Sequence, residues 1–161
     1  MSGVLLVCHA NTCRSVMAHA LLERMLAERG LDGRVRVRSA GVSPYARDGM
    51  LASLDARLVL KEIGILLAED TIVSTDLKSH RDLVGEARVV VTMTVEQKRL
   101  VAALVEGEVP PTLTLRELAG EAGDIGDPVG QGEDTYRACR DEIARCLDKG
   151  FADLLGRMGA A

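Results

Sequence analysis

Runs of apolar residues alternate with amphipathic segments along the chain. Residues 3–7 (GVLLV) and 88–93 (RVVVTM) are almost continuously apolar, which is typical of strands covered on both faces. Residues 34–39 (RVRVRS) alternate strictly, and this predicts an edge strand with one face in water. A short strand, TLTL, follows the two prolines at 110 and 111.

Helical periodicity fills the intervals between these strands. The predicted helices run from Ser15 to Gly30, over 51–64, over 95–107, and from near Asp134 to about Leu155. The last helix carries one apolar side, formed by Tyr136, Cys139, Ile143, Cys146, Leu147 and Leu154. Strands that alternate with helices predict an α/β fold in which a parallel sheet has helices on both faces.

Two segments show no periodicity. Residues 66–79 are open to interpretation as a lid, a dimer contact or a variable loop, and residues 120–132 are rich in glycine. No repeat or linker interrupts the 161 residues, so we expect a single domain over 1–161.

Composition and charge narrow the range of possible functions. The chain is 47% hydrophobic and has a net charge of -4, so nothing indicates a nucleic-acid or anionic-membrane surface. The N-terminus lacks a basic leader, and no apolar run approaches the roughly 20 residues of a membrane span. The four cysteines show neither CxxC nor zinc-site spacing, which favours free thiols in a reducing cytoplasm.

The main candidate chemistry lies in the stretch VCHANTCRS, residues 7–15, where a strand passes through a short polar loop into a helix. Such a loop binds anions, because the new helix points free N–H groups and its positive dipole end at the ligand. Five residues between Cys8 and Arg14 allow the backbone to curl around one tetrahedral oxyanion, and Arg14 can offer a planar fork to two of its oxygens. The same surroundings favour the thiolate form of Cys8, which would be a nucleophile towards a bound phosphoryl group. A cysteine at a strand end is more often a packing residue, so the hypothesis depends on this position between strand and helix.

A phosphatase also needs a proton donor for its leaving group. Asp127, which precedes Pro128 in GDIGDPVGQG, is a candidate, although Asp-Pro among glycines is also a common way to build a turn. Asp124 and Glu121 are alternative candidates for this role.

Taken together, VCHANTCRSVMAHALLERML, RVRSAGV, ARVVVTMT and GDPVGQGEDTYRACRDEI resemble, in this order, the low-molecular-weight protein tyrosine phosphatases. The resemblance covers nearly the whole chain. It implies a four-stranded parallel sheet in the order 2-1-3-4, phosphorylated protein substrates, no metal or organic cofactor, and a monomer or weak dimer.

The same resemblance implies a role for each site residue. Cys8 would form a phosphocysteine, Arg14 would hold the phosphate, and Asp127 would act as general acid and then as base. Asn11, Ser15 and Ser39 would support the loop. The substrate phosphate would contact the loop residues His9, Ala10, Asn11, Thr12, Cys13 and Ser15.

The residue after the loop asparagine separates two subgroups. Tyrosine-directed members usually have Ile or Leu there, whereas bacterial protein-arginine phosphatases have Thr, and this chain has Thr12. Tyrosine-directed members also commonly place aromatic residues after Asp-Pro, where this chain has Val129 and Gly130. Phosphoarginine is therefore the expected substrate and phosphotyrosine the alternative; Thr12 could also be a merely tolerated β-branched residue.

The remaining cysteines have packing or redox roles as their possible functions, and the sequence also bears on other classes of protein. Cys13 could form a reversible disulfide with Cys8 or simply pack under the loop, whereas Cys139 and Cys146 are expected to be packing residues. An arsenate reductase would need further cysteines before or around the third strand, and none lies between Cys13 and Cys139. A phosphocarrier or a non-catalytic phosphate-binding module would not require Cys8, Arg14 and Asp127 together.

Overall fold

The computed structural model describes residues 2–160. Its four strands form one parallel sheet in the order β2-β1-β3-β4, which confirms the predicted fold class and strand order. The strands are β1 (Ser2–Cys8), β2 (Val35–Gly41), β3 (Val89–Thr92) and β4 (Thr112–Thr114).

Six α-helices connect and cover these strands in the described part of the chain. They are α1 (Arg14–Glu28), α2 (Leu54–Lys61), α3 (Asp82–Glu86), α4 (Val95–Leu104), α5 (Leu115–Leu118) and α6 (Glu133–Met158), and a single 3-10 turn spans Leu77–Ser79. The pattern predicted α1, α2, α4 and α6, but α2 is shorter at both ends than expected. It missed α3 and α5, because helices of five and four residues are too short to show a period.

The helices lie on both faces of the sheet and create two cores. Along β1, Val4 and Leu6 pack into the larger core with α1, α2, α5 and α6. Leu5 and Val7 point the other way, into a smaller core that includes Val84 of α3 and Val101 of α4. This alternation explains why β1 is continuously apolar although its side chains alternate between two faces.

The predicted apolar side of α6 is buried, since all six of its residues are at most 6% exposed. The helix also approaches α5 closely: a Cβ added at Gly150 would lie 2.7 Å from the Leu118 carbonyl oxygen. A side chain at position 150 would therefore force the two helices apart. No helix among residues 2–160 is long and apolar enough to cross a membrane.

The sheet register brings three strand ends to one edge. Cys8 pairs with Gly41 at the end of β2, and Val7 pairs with Thr92 at the end of β3. The strand β2 is an edge strand, as predicted, but it extends two residues further than the alternating pattern. The segment 66–79 is joined to this edge, because its Thr75 carbonyl accepts a hydrogen bond from the Gly41 N–H (2.8 Å).

Candidate active site

The loop between β1 and α1 places Cys8 and Arg14 at adjacent element ends. Cys8 is the last residue of β1, and Arg14 is the first residue of α1. The Cys8 sulfur accepts a hydrogen bond from the backbone N–H of Asn11 (3.3 Å) and lies 3.0 Å from the Ser15 hydroxyl oxygen. The sulfur therefore has two polar neighbours from within the loop.

Asn11 holds the loop in its curled form. Its φ of 61° is in the left-handed region, and it is the one residue other than glycine among 2–160 with a positive φ. Its side-chain amide donates to the Ser15 hydroxyl (2.7 Å), and its side-chain carbonyl accepts the backbone N–H of Thr75 (2.9 Å). Asn11 is fully buried, so these bonds satisfy a side chain that water does not reach.

Backbone hydrogen bonds fix the outside of the loop. The Val42 N–H donates to the Cys8 carbonyl (3.1 Å), the Ser43 N–H to the His9 carbonyl (3.0 Å) and the Ser53 N–H to the Thr12 carbonyl (2.9 Å). These bonds occupy loop carbonyls with donors from two other segments. The loop is thereby attached to the segment that follows β2 and to the start of α2.

Gly41 sets how closely the end of β2 approaches the loop. A Cβ at this position would lie 2.7 Å from the Ala10 carbonyl carbon and 2.9 Å from the His9 carbonyl oxygen. Real Cβ atoms are essentially never found so close to backbone atoms. The loop can keep this shape only because position 41 has no side chain.

Arg14 connects the loop to the predicted acid segment. Its side chain is only 5% exposed, and it donates to the Ile125 carbonyl (2.8 Å). A second guanidinium nitrogen lies 3.7 Å from a carboxylate oxygen of Asp127, whose side chain is 47% exposed. The structure thus brings Asp127, from a distant part of the sequence, beside the loop that contains Cys8 and Arg14.

The other two acids suggested for proton transfer are engaged elsewhere. A carboxylate oxygen of Asp124 accepts the backbone N–H of Val95 at the start of α4 (2.9 Å). Glu121 forms ion pairs with Arg145 and Lys149, which hold the pKa of its carboxyl at about 2. Asp127 is therefore the carboxylate of this segment that lies beside Arg14.

The loop residues differ in their access to solvent. His9 is exposed, and Ala10 and Thr12 are half-buried, so these three form the accessible rim. Cys13 and Ser15 are buried beneath them. Burial raises the pKa of the Cys13 thiol well above its usual range, although a hydrogen bond with Tyr136 acts in the opposite direction.

Ser39 is not brought to the loop, in contrast to the expectation that it supports it. Its hydroxyl forms a hydrogen bond with the Nδ1 of His19 on α1 (2.8 Å). Thr75, which the sequence patterns did not identify, contacts Asn11 instead. A cavity of about 830 Å³ beside β2 is lined by Ser39 and Thr75, but not by Cys8, Arg14 or Asp127. The site is therefore identified by its chemistry and not by cavity volume.

Two residues near the site were not predicted to have a place there. Tyr45 is 78% exposed and lies two residues beyond Ser43, which hydrogen-bonds the loop. The chain has only two tyrosines, one phenylalanine and no tryptophan. An aromatic side chain that the fold leaves in solvent is therefore unusual in this chain, and this is the signal that identifies Tyr45. Cys139 is a buried packing residue, as expected, but its thiol also donates to the Gly126 carbonyl (3.8 Å), directly before Asp127.

The arrangement has the parts needed for nucleophilic phosphoryl transfer. The Cys8 sulfur lies in a loop between a strand and a helix, the buried Arg14 guanidinium lies at the end of that loop, and the half-exposed Asp127 carboxylate lies beside the guanidinium. The four cysteines are free thiols in the structure.

Comparisons with known proteins agree with this geometry. Residues 3–158 match the family described as low molecular weight phosphotyrosine protein phosphatase. The chain is 40% identical over 147 residues to a protein-arginine-phosphatase of Geobacillus stearothermophilus, with 91% of each chain covered. It is 30% identical over 143 residues to the low molecular weight protein-tyrosine-phosphatase PtpB of Staphylococcus haemolyticus, with 89% of this chain and 93% of the relative covered.

A solved structure shows the same likeness in three dimensions. A Cys-to-Ser mutant of the YwlE arginine phosphatase, with a phosphorylated active-site serine, superposes with a TM-score of 0.83 at 34% identity, and 96% of this chain and 95% of that chain are covered. The family match, the sequence relatives and this superposition all cover nearly the full length. The chain belongs to the low molecular weight phosphotyrosine protein phosphatase family.

Proposed function

We propose that this chain is a protein-arginine phosphatase that works through a phosphocysteine at Cys8. The observation that carries the proposal is Thr12, which is half-buried at the rim of the loop and places a β-branched hydroxyl side chain there. The relative with 40% identity is named a protein-arginine-phosphatase, and the tyrosine-directed relative described above is less similar, at 30% identity.

The first step transfers the phosphoryl group to the enzyme. The Cys8 thiolate attacks phosphorus, so that an S–P bond forms while the P–N bond to the substrate guanidino nitrogen breaks. Asp127 donates a proton to this nitrogen, which leaves as a neutral guanidine group and takes up a further proton from water. Arg14 and the loop N–H groups bind the phosphoryl oxygens throughout, and they replace the water that would otherwise stabilise the charge.

The second step releases phosphate. Asp127, now a carboxylate, removes a proton from a water molecule that attacks phosphorus. The S–P bond breaks, inorganic phosphate leaves, and the Cys8 thiolate is regenerated. The half-exposed position of Asp127 supports both roles, because the same carboxyl must reach the leaving group and then water.

We assign the choice between phosphoarginine and phosphotyrosine to the accessible rim of the phosphate loop. A hydroxyl at Thr12 suits a planar, polar guanidino group, whereas an aliphatic side chain there suits a phenyl ring. The positions after Pro128 are Val129 and Gly130, so that side of the opening offers no aromatic surface. Tyr45 does not discriminate, because an aromatic face stacks on guanidinium and phenyl groups alike.

The test compares wild type, Thr12→Ile and Thr12→Ser on matched peptides that carry either phosphoarginine or phosphotyrosine. Wild type should have the higher kcat/KM on phosphoarginine. Thr12→Ile should shift the ratio towards phosphotyrosine by about an order of magnitude, whereas Thr12→Ser, which keeps the hydroxyl, should retain the preference. A preference for phosphotyrosine in wild type that Thr12→Ile leaves unchanged would assign the chain to tyrosine phosphatases instead.

That second candidate, a tyrosine phosphatase, rests on the tyrosine-directed relatives. In either case the proposed substrate is a phosphorylated protein. We further propose the cytoplasm as the compartment, where the four free thiols would remain reduced.

A further inference from the structure

Four leucines on α2 and in the segments before and after it are exposed to solvent. Leu51, Leu54, Leu58 and Leu66 are 48%, 59%, 42% and 77% exposed. Leu54 and Leu58 are one turn apart on α2, and together with Leu66 they line a surface groove of about 270 Å³. We refer to Leu51, Leu54, Leu58 and Leu66 as the α2 leucine face.

The packing of α2 does not account for this face. The helix is buried through Ala56, Val59 and Leu60, which belong to the larger core. Leu54 and Leu58 do not belong to that core and remain 59% and 42% exposed. Single exposed leucines are common on soluble proteins, but a contiguous group of them marks a surface that binds another molecule.

The charges in the groove indicate the chemistry of that molecule. Arg57 and Lys61 line it together with the leucines. Within residues 2–160, neither forms an ion pair with a carboxylate; the Arg57 side chain donates only to the Ala52 carbonyl (3.4 Å). The nearest following acid, Glu62, is already bound by Arg137 and Arg140. A partner that combines apolar side chains with carboxylates would therefore cover the leucines and neutralise the two cations.

The position of the face relates it to the substrate. The Ser53 N–H donates to the Thr12 carbonyl, and the Ser53 hydroxyl caps the N-terminus of α2. The helix therefore begins at the rim of the loop and extends away from it for its eight residues, about 12 Å. An extended peptide covers that length with about four residues. A polypeptide whose phosphorylated side chain enters the loop can thus lie along α2.

We propose that the α2 leucine face docks an apolar and acidic segment of the phosphoprotein substrate, within a few residues of the phosphorylated side chain. This inference rests on the proposed phosphatase function. It assigns selection among protein substrates to α2, whereas the phosphate loop recognises only the phosphorylated side chain itself.

The experiment uses three substrates: para-nitrophenyl phosphate and two phosphopeptides with the same phosphorylated residue. One peptide is flanked on both sides by leucine and glutamate, and the other by serine and lysine. Wild type should hydrolyse the leucine-glutamate peptide with about tenfold higher kcat/KM, mainly through a lower KM. Leu54→Ser combined with Leu58→Ser, and separately Lys61→Glu, should remove this advantage while hydrolysis of para-nitrophenyl phosphate stays at the wild-type rate.

Matched controls lie on other parts of the surface. Val95 on α4 is 40% exposed, so Val95→Ser tests the loss of an exposed apolar side chain away from the groove. Arg34 is exposed before β2, so Arg34→Glu tests a charge reversal at a distance. Both variants should leave the ratio between the two peptides unchanged.

Three results would overturn the inference. They are equal kcat/KM for the two peptides in wild type, an equal fall on all three substrates in the leucine variants, and a concentration-dependent dimer that Leu58→Ser abolishes without changing the peptide ratio. Failure of the phosphatase function is a different result, in which wild type hydrolyses none of the three substrates. Binding of the same peptides to Cys8→Ser, followed by fluorescence anisotropy, would then still test the docking.

Discussion

The phosphate loop, residues 8–15, and the acid segment, residues 120–132, face each other across the site but are held in different ways. In the loop, Asn11, Arg14 and Ser15 are buried, and each has hydrogen-bond partners. The acid segment is mostly exposed and is buried only at Ile125 and Pro128 among its side chains. The loop is therefore fixed by the fold, whereas most of the acid segment is in contact with solvent.

Arg14 joins the two regions, since one side chain contacts the Ile125 carbonyl and lies near Asp127. Occupation of the loop by a phosphoryl group offers this guanidinium a stronger acceptor than a backbone carbonyl. We therefore expect the exposed acid segment, and not the buried loop, to change when phosphate binds.

The nucleophile gives the largest expected effect. Cys8→Ser should reduce turnover below detection, because a serine hydroxyl at this position is far less acidic than a thiol and is a poor nucleophile. Binding of inorganic phosphate should persist, since Arg14 and the loop N–H groups are unchanged. Steady-state hydrolysis and phosphate titration by calorimetry measure the two properties. Cys146→Ser, at a buried cysteine of α6, is the control for the substitution itself, and turnover within a factor of about ten of wild type in Cys8→Ser would contradict a nucleophilic role.

The acid should have a smaller effect that depends on the substrate. Asp127→Ala should slow substrates with poor leaving groups by about 10²–10⁴-fold, because they need the proton in the transition state. Substrates with good leaving groups should be slowed much less. The slope of rate against leaving-group pKa in a series of aryl phosphates measures this difference. Asp124→Ala is the control, and an equal loss on all leaving groups in Asp127→Ala would show that the carboxylate does not donate the proton.

Asn11 tests whether the loop is held by its backbone conformation as well as by its hydrogen bonds. Asn11→Gly and Asn11→Ala both lose the bonds to Ser15 and Thr75, which should lower the free energy of unfolding by about 1–3 kcal/mol. Asn11→Ala should be lower than Asn11→Gly by about 1 kcal/mol, because alanine is strained at a φ of 61°. Urea denaturation of the three proteins measures both differences. Equal stabilities for the alanine and glycine variants would show that the left-handed conformation is not maintained after the bonds are lost.

The smallest expected effect is on the rate at which oxidation forms a disulfide between Cys8 and Cys13. Peroxide converts the Cys8 thiolate to a sulfenic acid, and attack by the Cys13 sulfur then forms a Cys8–Cys13 disulfide and releases water. Burial raises the pKa of Cys13, so its neutral thiol predominates near neutral pH and only the small thiolate fraction reacts. Disulfide formation should therefore accelerate about tenfold per pH unit between about pH 6 and pH 8.

The measurement is peptide mass mapping at intervals after catalase has removed the peroxide. Recovery of activity with dithiothreitol should be poorer in Cys13→Ser, because the sulfenic acid is then open to further oxidation. A rate of disulfide formation that is independent of pH, or recovery that Cys13→Ser leaves unchanged, would show that Cys13 is a packing residue only.

The sequence could predict the loop because its chemistry is local. Cys8, Asn11, Arg14 and Ser15 lie within eight consecutive residues, between a strand and a helix that each have a clear pattern. The strand order followed from the family resemblance, and the layers followed from alternating strand and helix patterns.

The surroundings of the loop could not be predicted, because they depend on distant segments. Thr75 reaches Asn11 from a stretch with no periodicity, and the N–H that it donates belongs to the backbone, which any residue provides. Ser39 was assigned to the loop from its place in a motif, but on the edge strand its hydroxyl contacts His19 instead. Tyr45 and the α2 leucine face became visible only when exposure could be measured.

Gly41 has a consequence for the interpretation of other sequences of this family. The residue carries no chemistry, yet its missing side chain leaves the space that the His9 and Ala10 backbone occupies. A chain with an intact stretch from Cys8 to Ser15 but with a larger residue at position 41 would have to open its loop to accommodate that side chain. In genome surveys, the catalytic residues alone would not separate active enzymes from inactive homologues. The residue at position 41 is therefore a marker that can separate them.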